Sequence, residues 1–112
     1  MTKDDFTKLC LFLASPPPPV NLSQSDVSAT SVKVHWTAPA HHQPFRITNY
    51  TVQYKKFGTK MLYYDAVTVS SVKRESVVEN LDSNTKYLMR VKSINAYGSQ
   101  ASEDLTVHTE GK

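Results

Sequence analysis

The chain has 112 residues, of which 39% are hydrophobic and 21% charged, with a formal net charge of +3. That is the sequence of one ordinary globular domain, not of a disordered tail or a membrane protein. A single cysteine, Cys10, excludes an internal disulfide framework and a Cys-based zinc site.

Residues 1–15 read as a leader or flexible N-terminal segment. Asp4 and Asp5 precede the apolar run Leu9-Cys10-Leu11-Phe12-Leu13-Ala14. A secretory signal has ~7–15 apolar residues behind a basic stretch, so the fit is poor. No run reaches the ~18–20 apolar residues of a membrane-spanning helix. Pro16 to Pro19 follow. Prolines cannot donate to a sheet and favour polyproline II, so 16–19 reads as a stiff proline linker.

From Val20 onward the apolar period is two, not 3.6. Val32, Val34 and Trp36 alternate with Lys33, His35 and Thr37. Tyr50, Val52 and Tyr54 alternate with Thr51, Gln53 and Lys55. Tyr87, Met89 and Val91 alternate with Leu88, Arg90 and Lys92, and Leu105 and Val107 with Thr106 and His108. These runs are rich in β-branched and aromatic residues, as half-buried strands are. Turn-forming stretches separate them at 25–30, 39–44, 56–60, 82–85 and 95–100. The spacing predicts seven strands near 20–25, 31–37, 46–56, 61–67, 74–79, 86–95 and 102–109. The fold class is all-β, a seven-stranded antiparallel sandwich occupying 20–109, with 110–112 as a C-terminal linker. Inward positions at every second residue let two sheets share one core, to which Trp36, Tyr50, Tyr54, Tyr87 and Val91 are assigned.

Several of these runs, taken in order, resemble a fibronectin type III domain. Pro18-Pro19-Val20-Asn21-Leu22 is similar to the family's proline-led first strand. Val32-x-Val34-x-Trp36 followed by Pro39 resembles its second strand with the buried tryptophan, and Ile47-x-x-Tyr50-x-Val52-x-Tyr54 its third. Leu81-x-x-x-Thr85-x-Tyr87 resembles its tyrosine corner. Tyr87-x-Met89-Arg90-Val91-x-Ser93-x-Asn95, then Gly98, resembles the sixth strand and the turn after it. The chain departs at Ser83, where the family often has Pro, at Met89, where Phe is common, and at Ser93, where Ala is common. The resemblance implies that Trp36 fills the core centre and Leu81 plugs it beneath the corner. It also implies that the Tyr87 hydroxyl bonds the backbone a few residues upstream. An immunoglobulin domain proper is disfavoured, because it usually carries a Cys pair around its Trp.

Catalysis finds little support. There is no G-x-S-x-G elbow, and three unclustered glycines cannot build a phosphate loop. His41 and His42 are adjacent, so in extended chain they point apart and chelate poorly. No enzyme, cofactor or metal is expected. Two N-glycosylation patterns occur, Asn21-Leu22-Ser23 and Asn49-Tyr50-Thr51. With strands three and six as neighbours, Lys55, Lys56, Lys60, Arg90 and Lys92 form a candidate cationic stripe for an acidic glycan or acidic protein. The plainer reading is a solvated face balanced by Asp65 or Asp104. No interleaved exposed aromatics are apparent, which argues against nucleic acid. Leu88 and Ile94 fall on the same outward face, as a neighbouring-domain contact would. Loops on a rigid sandwich carry recognition, and Phe45 and Tyr97 are the loop anchors to expect.

The resemblance implies a non-catalytic spacer and protein-interaction module of a larger protein, monomeric by itself and without membrane insertion. The expected setting is a cell-surface adhesion protein, receptor or matrix protein. A cytoplasmic module of a muscle or scaffold protein, or an accessory domain of a receptor-type enzyme, is the alternative.

Overall fold

Alternating apolar side chains need two facing layers to bury them, and the chain builds two sheets. The computed structural model describes residues 15–39 and 46–112. The first sheet holds three strands in the order β1 (Val20–Ser25), β2 (Val32–Thr37), β5 (Glu75–Val78). The second holds β4 (Tyr64–Ser70), β3 (Asn49–Lys56) and β6 (Lys86–Asn95), with β7 (Gly98–Ala101) and β8 (Leu105–His108) both paired to the far side of β6. All pairings are antiparallel.

The core sits between the sheets. Val32, Val34 and Trp36 from β2 meet Tyr50 and Val52 from β3 and Tyr87, Met89 and Val91 from β6. Trp36 is 4% exposed, and its ring lies 5.5 Å from that of Tyr50 at 55°. Tyr54 is half-buried at the margin of this cluster, its ring edge-on to Tyr87 at 5.6 Å. Two core departures carry a cost. The Oγ of Ser93 and the Nε1 of Trp36 are buried with no hydrogen-bond partner among the described residues.

Strands β1 and β6 occupy the expected residues; β3 starts at Asn49, not 46, and three further stretches differ. The fourth strand starts at Tyr64, not 61, because Tyr54 pairs with Tyr64, and the connection from β3 takes up residues 57–63. The stretch expected as a turn over 95–100 is mostly strand. A two-residue hairpin, Ala96-Tyr97, joins Asn95 directly to Gly98. The Tyr97 N–H donates to Asn95 Oδ1 at 2.9 Å, which closes that turn. Gly98 has φ +147, and a Cβ there would come within 3.2 Å of Ser15. The last expected strand, 102–109, is shortened to β8 at 105–108, and β7 at 98–101 is the additional strand, giving eight strands among the described residues. Ser102 stands between the two: its Oγ accepts from Val91 N at 3.0 Å, where a ladder carbonyl would stand, while its own N–H donates to Val91 O at 2.9 Å.

The ends of the domain are tied down. Pro16 and Pro19 are buried, so the proline run lies on the sandwich instead of standing off it. At the other end Thr109 is 0% exposed. Its Oγ donates to Asp82 O at 2.6 Å and accepts from Thr85 N at 2.9 Å. The Tyr87 hydroxyl accepts from Asp82 N at 2.8 Å, five residues upstream, and Leu81 is 4% exposed beneath it. Glu110 continues the structure past 109, donating its N–H to Ser28 O at 3.0 Å. The described chain thus enters at Ser15 beside the β6–β7 hairpin and leaves at the opposite pole, among the β1–β2, β3–β4 and β5–β6 connections.

Candidate interaction surface

Directly paired residues of antiparallel strands share a face. The pairs Gln53–Arg90, Thr51–Lys92 and Lys55–Leu88 therefore put the polar halves of β3 and β6 together on the outside of the five-stranded sheet. Gln53 is buried there, and it is fully engaged. Its Nε2 donates to Asp65 Oδ1 at 2.6 Å, and its Oε1 accepts from Arg90 Nε at 2.8 Å. Thr51 is also buried and bonds Thr68, hydroxyl to hydroxyl, at 2.8 Å.

Tyr63 lies over this network. Its ring centroid is 3.8 Å from the Arg90 guanidinium carbon and 5.1 Å from Lys55 Nζ. Its hydroxyl donates to Asp104 Oδ1 in the break between β7 and β8. The phenol is pushed up to about 12, first by burial and then by the hydrogen bond to Asp104 and that carboxylate's charge. A cation over an aromatic face at a partly exposed site is worth about 0.5–1 kcal/mol. The side chain therefore straps the β4 margin to the β7–β8 margin across β3 and β6.

The five cations of the expected stripe divide. Lys55 and Arg90 converge on Tyr63, and Lys92 stands two residues along the same face. Lys56 turns away to Asp82, Nζ to Oδ2 2.7 Å, which raises the lysine and holds the Asp82 carboxyl below the usual carboxylate range. Lys60 is exposed in the β3–β4 connection. Leu88 and Ile94 are half-buried on the outward face. Tyr97 is exposed at the hairpin tip. Phe45, His41 and His42 lie outside the described residues. On the three-stranded sheet His35 bridges its neighbours, Nδ1 to Glu75 at 3.1 Å and Nε2 to Ser25 Oγ at 2.6 Å. Among the described residues no three His, Cys, Asp or Glu side chains cluster as metal ligands.

A second feature escaped the sequence reading. Met61, Leu62 and Tyr64 are exposed together at the C-terminal pole, Leu62 at 92% and Met61 at 71%. With Tyr54, Asp82 and Tyr87 they border a shallow groove of about 350 Å³. Phe57 is exposed as well, with the Lys86 ammonium 4.5 Å over its ring. The signal was present in Met61-Leu62-Tyr63-Tyr64, four consecutive large apolar or aromatic residues that no period-two strand can bury on one side.

A three-plus-five sandwich around a buried tryptophan, closed by a tyrosine bonded to the β5–β6 turn, defines an immunoglobulin-like module with no cysteine bridge. The family description "Fibronectin type III domain" matches residues 16–108, and the chain belongs to that family. Several much longer proteins contain a similar stretch. Titin of Drosophila melanogaster is 30% identical over 86 residues, covering 77% of this chain and, to the nearest per cent, 0% of that far longer protein. Neogenin of Rattus norvegicus is 30% identical over 87 residues, covering 77% of this chain and 6% of its own. Protein sidekick-1 of Gallus gallus is 29% identical over 96 residues, covering 86% and 4%. The chain thus spans a small fraction of the relatives it matches. Among solved structures, domains A168–A170 of titin superpose with TM-score 0.77 at 31% identity, covering 86% of this chain and 32% of that one. The FN5 domain of Drosophila Lar, at 24% identity and TM-score 0.70 over 87% of this chain and 99% of that one, shows the same fold.

Proposed function

We propose that this chain is a non-catalytic link and recognition module of a larger protein, set in a cell-surface adhesion protein, receptor or matrix protein. The observation that carries this is the exposed apolar cluster of Met61, Leu62 and Tyr64 beside the point where the chain leaves the sandwich. Exposed patches of this kind mark contacts with other protein. A neighbouring domain tethered at Lys112 meets this pole first, and covering Met61 and Leu62 fixes its orientation. The outer face, with Lys55 and Lys92 flanking the Arg90–Tyr63 stack, is the second recognition surface, suited to an acidic glycan or acidic protein.

The test joins the chain to the sequence that follows it in its parent and follows amide exchange of residues 57–64. Protection on extension, abolished by Met61→Ser with Leu62→Ser, is the expected result. Exchange unchanged by the extension sinks the reading. A cytoplasmic setting is the second reading, favoured by the 30% identity to titin. Fractionation of cells expressing the parent separates the two.

A further inference from the structure

The two Asn-x-Ser/Thr patterns stand on different ground. Asn49 opens β3, which is paired on both sides, to Ser70 of β4 and to Ile94 of β6. Its Nδ2 donates to Val69 O at 3.4 Å. The hydroxyl of that pattern, on Thr51, is 3% exposed and committed to Thr68. A sugar on Asn49 would have to grow from a half-buried amide inside the most heavily paired strand of the sheet.

Asn21 is the opposite case. It lies on β1, an edge strand. The register of β1 against β2 slips between Val20 and Ser23, and Asn21 takes φ 55 at that bulge. Asn is among the few residues that adopt this left-handed geometry readily, and a bulge re-aims the side chain out of the ladder. Asn21 and Ser23, the two residues the pattern requires, are both exposed. Beside them runs an open groove of about 490 Å³ between β1 and the β7–β8 break, bordered by Pro18, Pro19, Leu22, Ser102, Asp104 and Leu105. Further along, β1 is bonded to β8 by Gln24 Nε2 donating to Thr106 O at 3.1 Å.

We infer that Asn21 is the N-glycan acceptor of this module and that Asn49 is a silent pattern. The inference deepens the cell-surface reading. In the transfer, Asn21 Nδ2 attacks C1 of a lipid-pyrophosphate-linked oligosaccharide. An N–C1 bond forms, the C1–O bond to the pyrophosphate breaks, the amide gives up one proton, and the lipid pyrophosphate leaves with the bonding pair. The attached sugar shields the β1 edge, whose unpaired backbone groups otherwise invite pairing with another chain.

To test this, the 112-residue chain is directed through the secretory pathway of cultured mammalian cells behind an added signal sequence. The secreted protein is treated with a peptide N-glycosidase, which converts each occupied Asn to Asp, and its peptides are read by mass spectrometry. Conversion at Asn21, lost in Asn21→Gln and in Ser23→Ala and kept in Asn49→Gln, is expected. A secreted chain without sugar, or conversion at Asn49, overturns the inference. Secretion is imposed here, so the outcome is independent of where the parent resides. Glycopeptides of the native parent address that separately, and their absence there would count against the cell-surface reading alone.

Discussion

Replacing Ser93 with Ala removes a cost instead of a contact. The side chain projects from β6 into the core at 0% exposure, opposite Tyr50 of β3, and its Oγ has no partner among the described residues. A buried polar group left without a hydrogen bond costs about 1–3 kcal/mol. Deleting the oxygen forfeits a few atom contacts at about 0.1–0.2 kcal/mol each, a loss of roughly 0.5 kcal/mol. The Ser93→Ala chain is therefore more stable by about 0.5–2.5 kcal/mol. In a domain of this size each kcal/mol moves Tm by about 4–8 °C, so a rise of several degrees is expected. Urea unfolding followed by the fluorescence of Trp36, the single tryptophan, measures the difference, and an unchanged m value shows that the unfolded state is not the cause. A destabilised variant, or a change under about 0.5 kcal/mol, refutes the reasoning, because it means the hydroxyl is satisfied in the native state.

Tyr87→Phe acts in the other direction: it strips the acceptor from Asp82 N–H and lowers stability by about 1–2 kcal/mol in the same urea assay. A variant as stable as the parent chain would show that the corner bond contributes nothing. Tyr63 sets an alkaline limit. Its phenol is held near about 12 when folded, while an unfolded tyrosine ionises near ~10. The unfolded chain sheds that proton first, so this contribution is full below about pH 10 and lost as pH rises from there to about 12. Tyr63→Phe flattens the fall without abolishing it, since the phenols of Tyr50 and Tyr54 are also raised, chiefly by burial. An identical pH dependence of the urea midpoint in the two chains would rule this out. Truncation through Pro19 lowers Tm by several degrees, because buried Pro16 and Pro19 are lost from the sandwich and Ser15 from beside Gly98. An unchanged calorimetric melt would show that the proline run is a bystander.

What was legible in the sequence follows from what a period of two encodes. It encodes which face a side chain takes, and over Lys86–Asn95 it does so without interruption, so β6 and its inward residues Tyr87, Met89 and Val91 could be read directly. It fails where alternation fails. Met61-Leu62-Tyr63-Tyr64 gives no face, so the start of β4 was placed three residues early, and the exposed patch was hidden inside an imagined strand. It is also silent on substitutions for the backbone. Ser102, between β7 and β8, offers a hydroxyl where a ladder carbonyl would stand, and a single serine carries no sign of that role. Partners on the outer face were invisible for a third reason. Arg90 finds Gln53, and Tyr63 finds Asp104, across 37 and 41 residues of chain, so only the register of four strands brings them together. Of the five cations only Lys55, Arg90 and Lys92 stand on the outer face of β3 and β6, because Lys56 is diverted to Asp82 and Lys60 lies in the β3–β4 connection, and Arg90 is itself stacked and bonded.

The two poles differ in a way that bears on how such a module orients its neighbour. At the C-terminal pole the departing chain is fastened before it leaves. Thr109 N–H donates to Thr85 O at 3.0 Å, Thr109 Oγ joins Asp82 and Thr85, and Glu110 O accepts from Asn84 N at 2.9 Å. Asn80 and Asn84 take the left-handed conformation that shapes this turn. A tether fixed at one point still lets a neighbour swivel. A second contact removes that freedom, and under the proposed role the Met61–Leu62 projection would supply one from a different connection on the same pole. Ordering two long apolar side chains costs about 0.5–1.5 kcal/mol each, and burying them returns about 1.5–3 kcal/mol each, so docking is favourable by a small margin once the tether holds the partner close. A margin of that size gives a joint that is preferred but can open, which suits a link that both spaces and orients the domains around it.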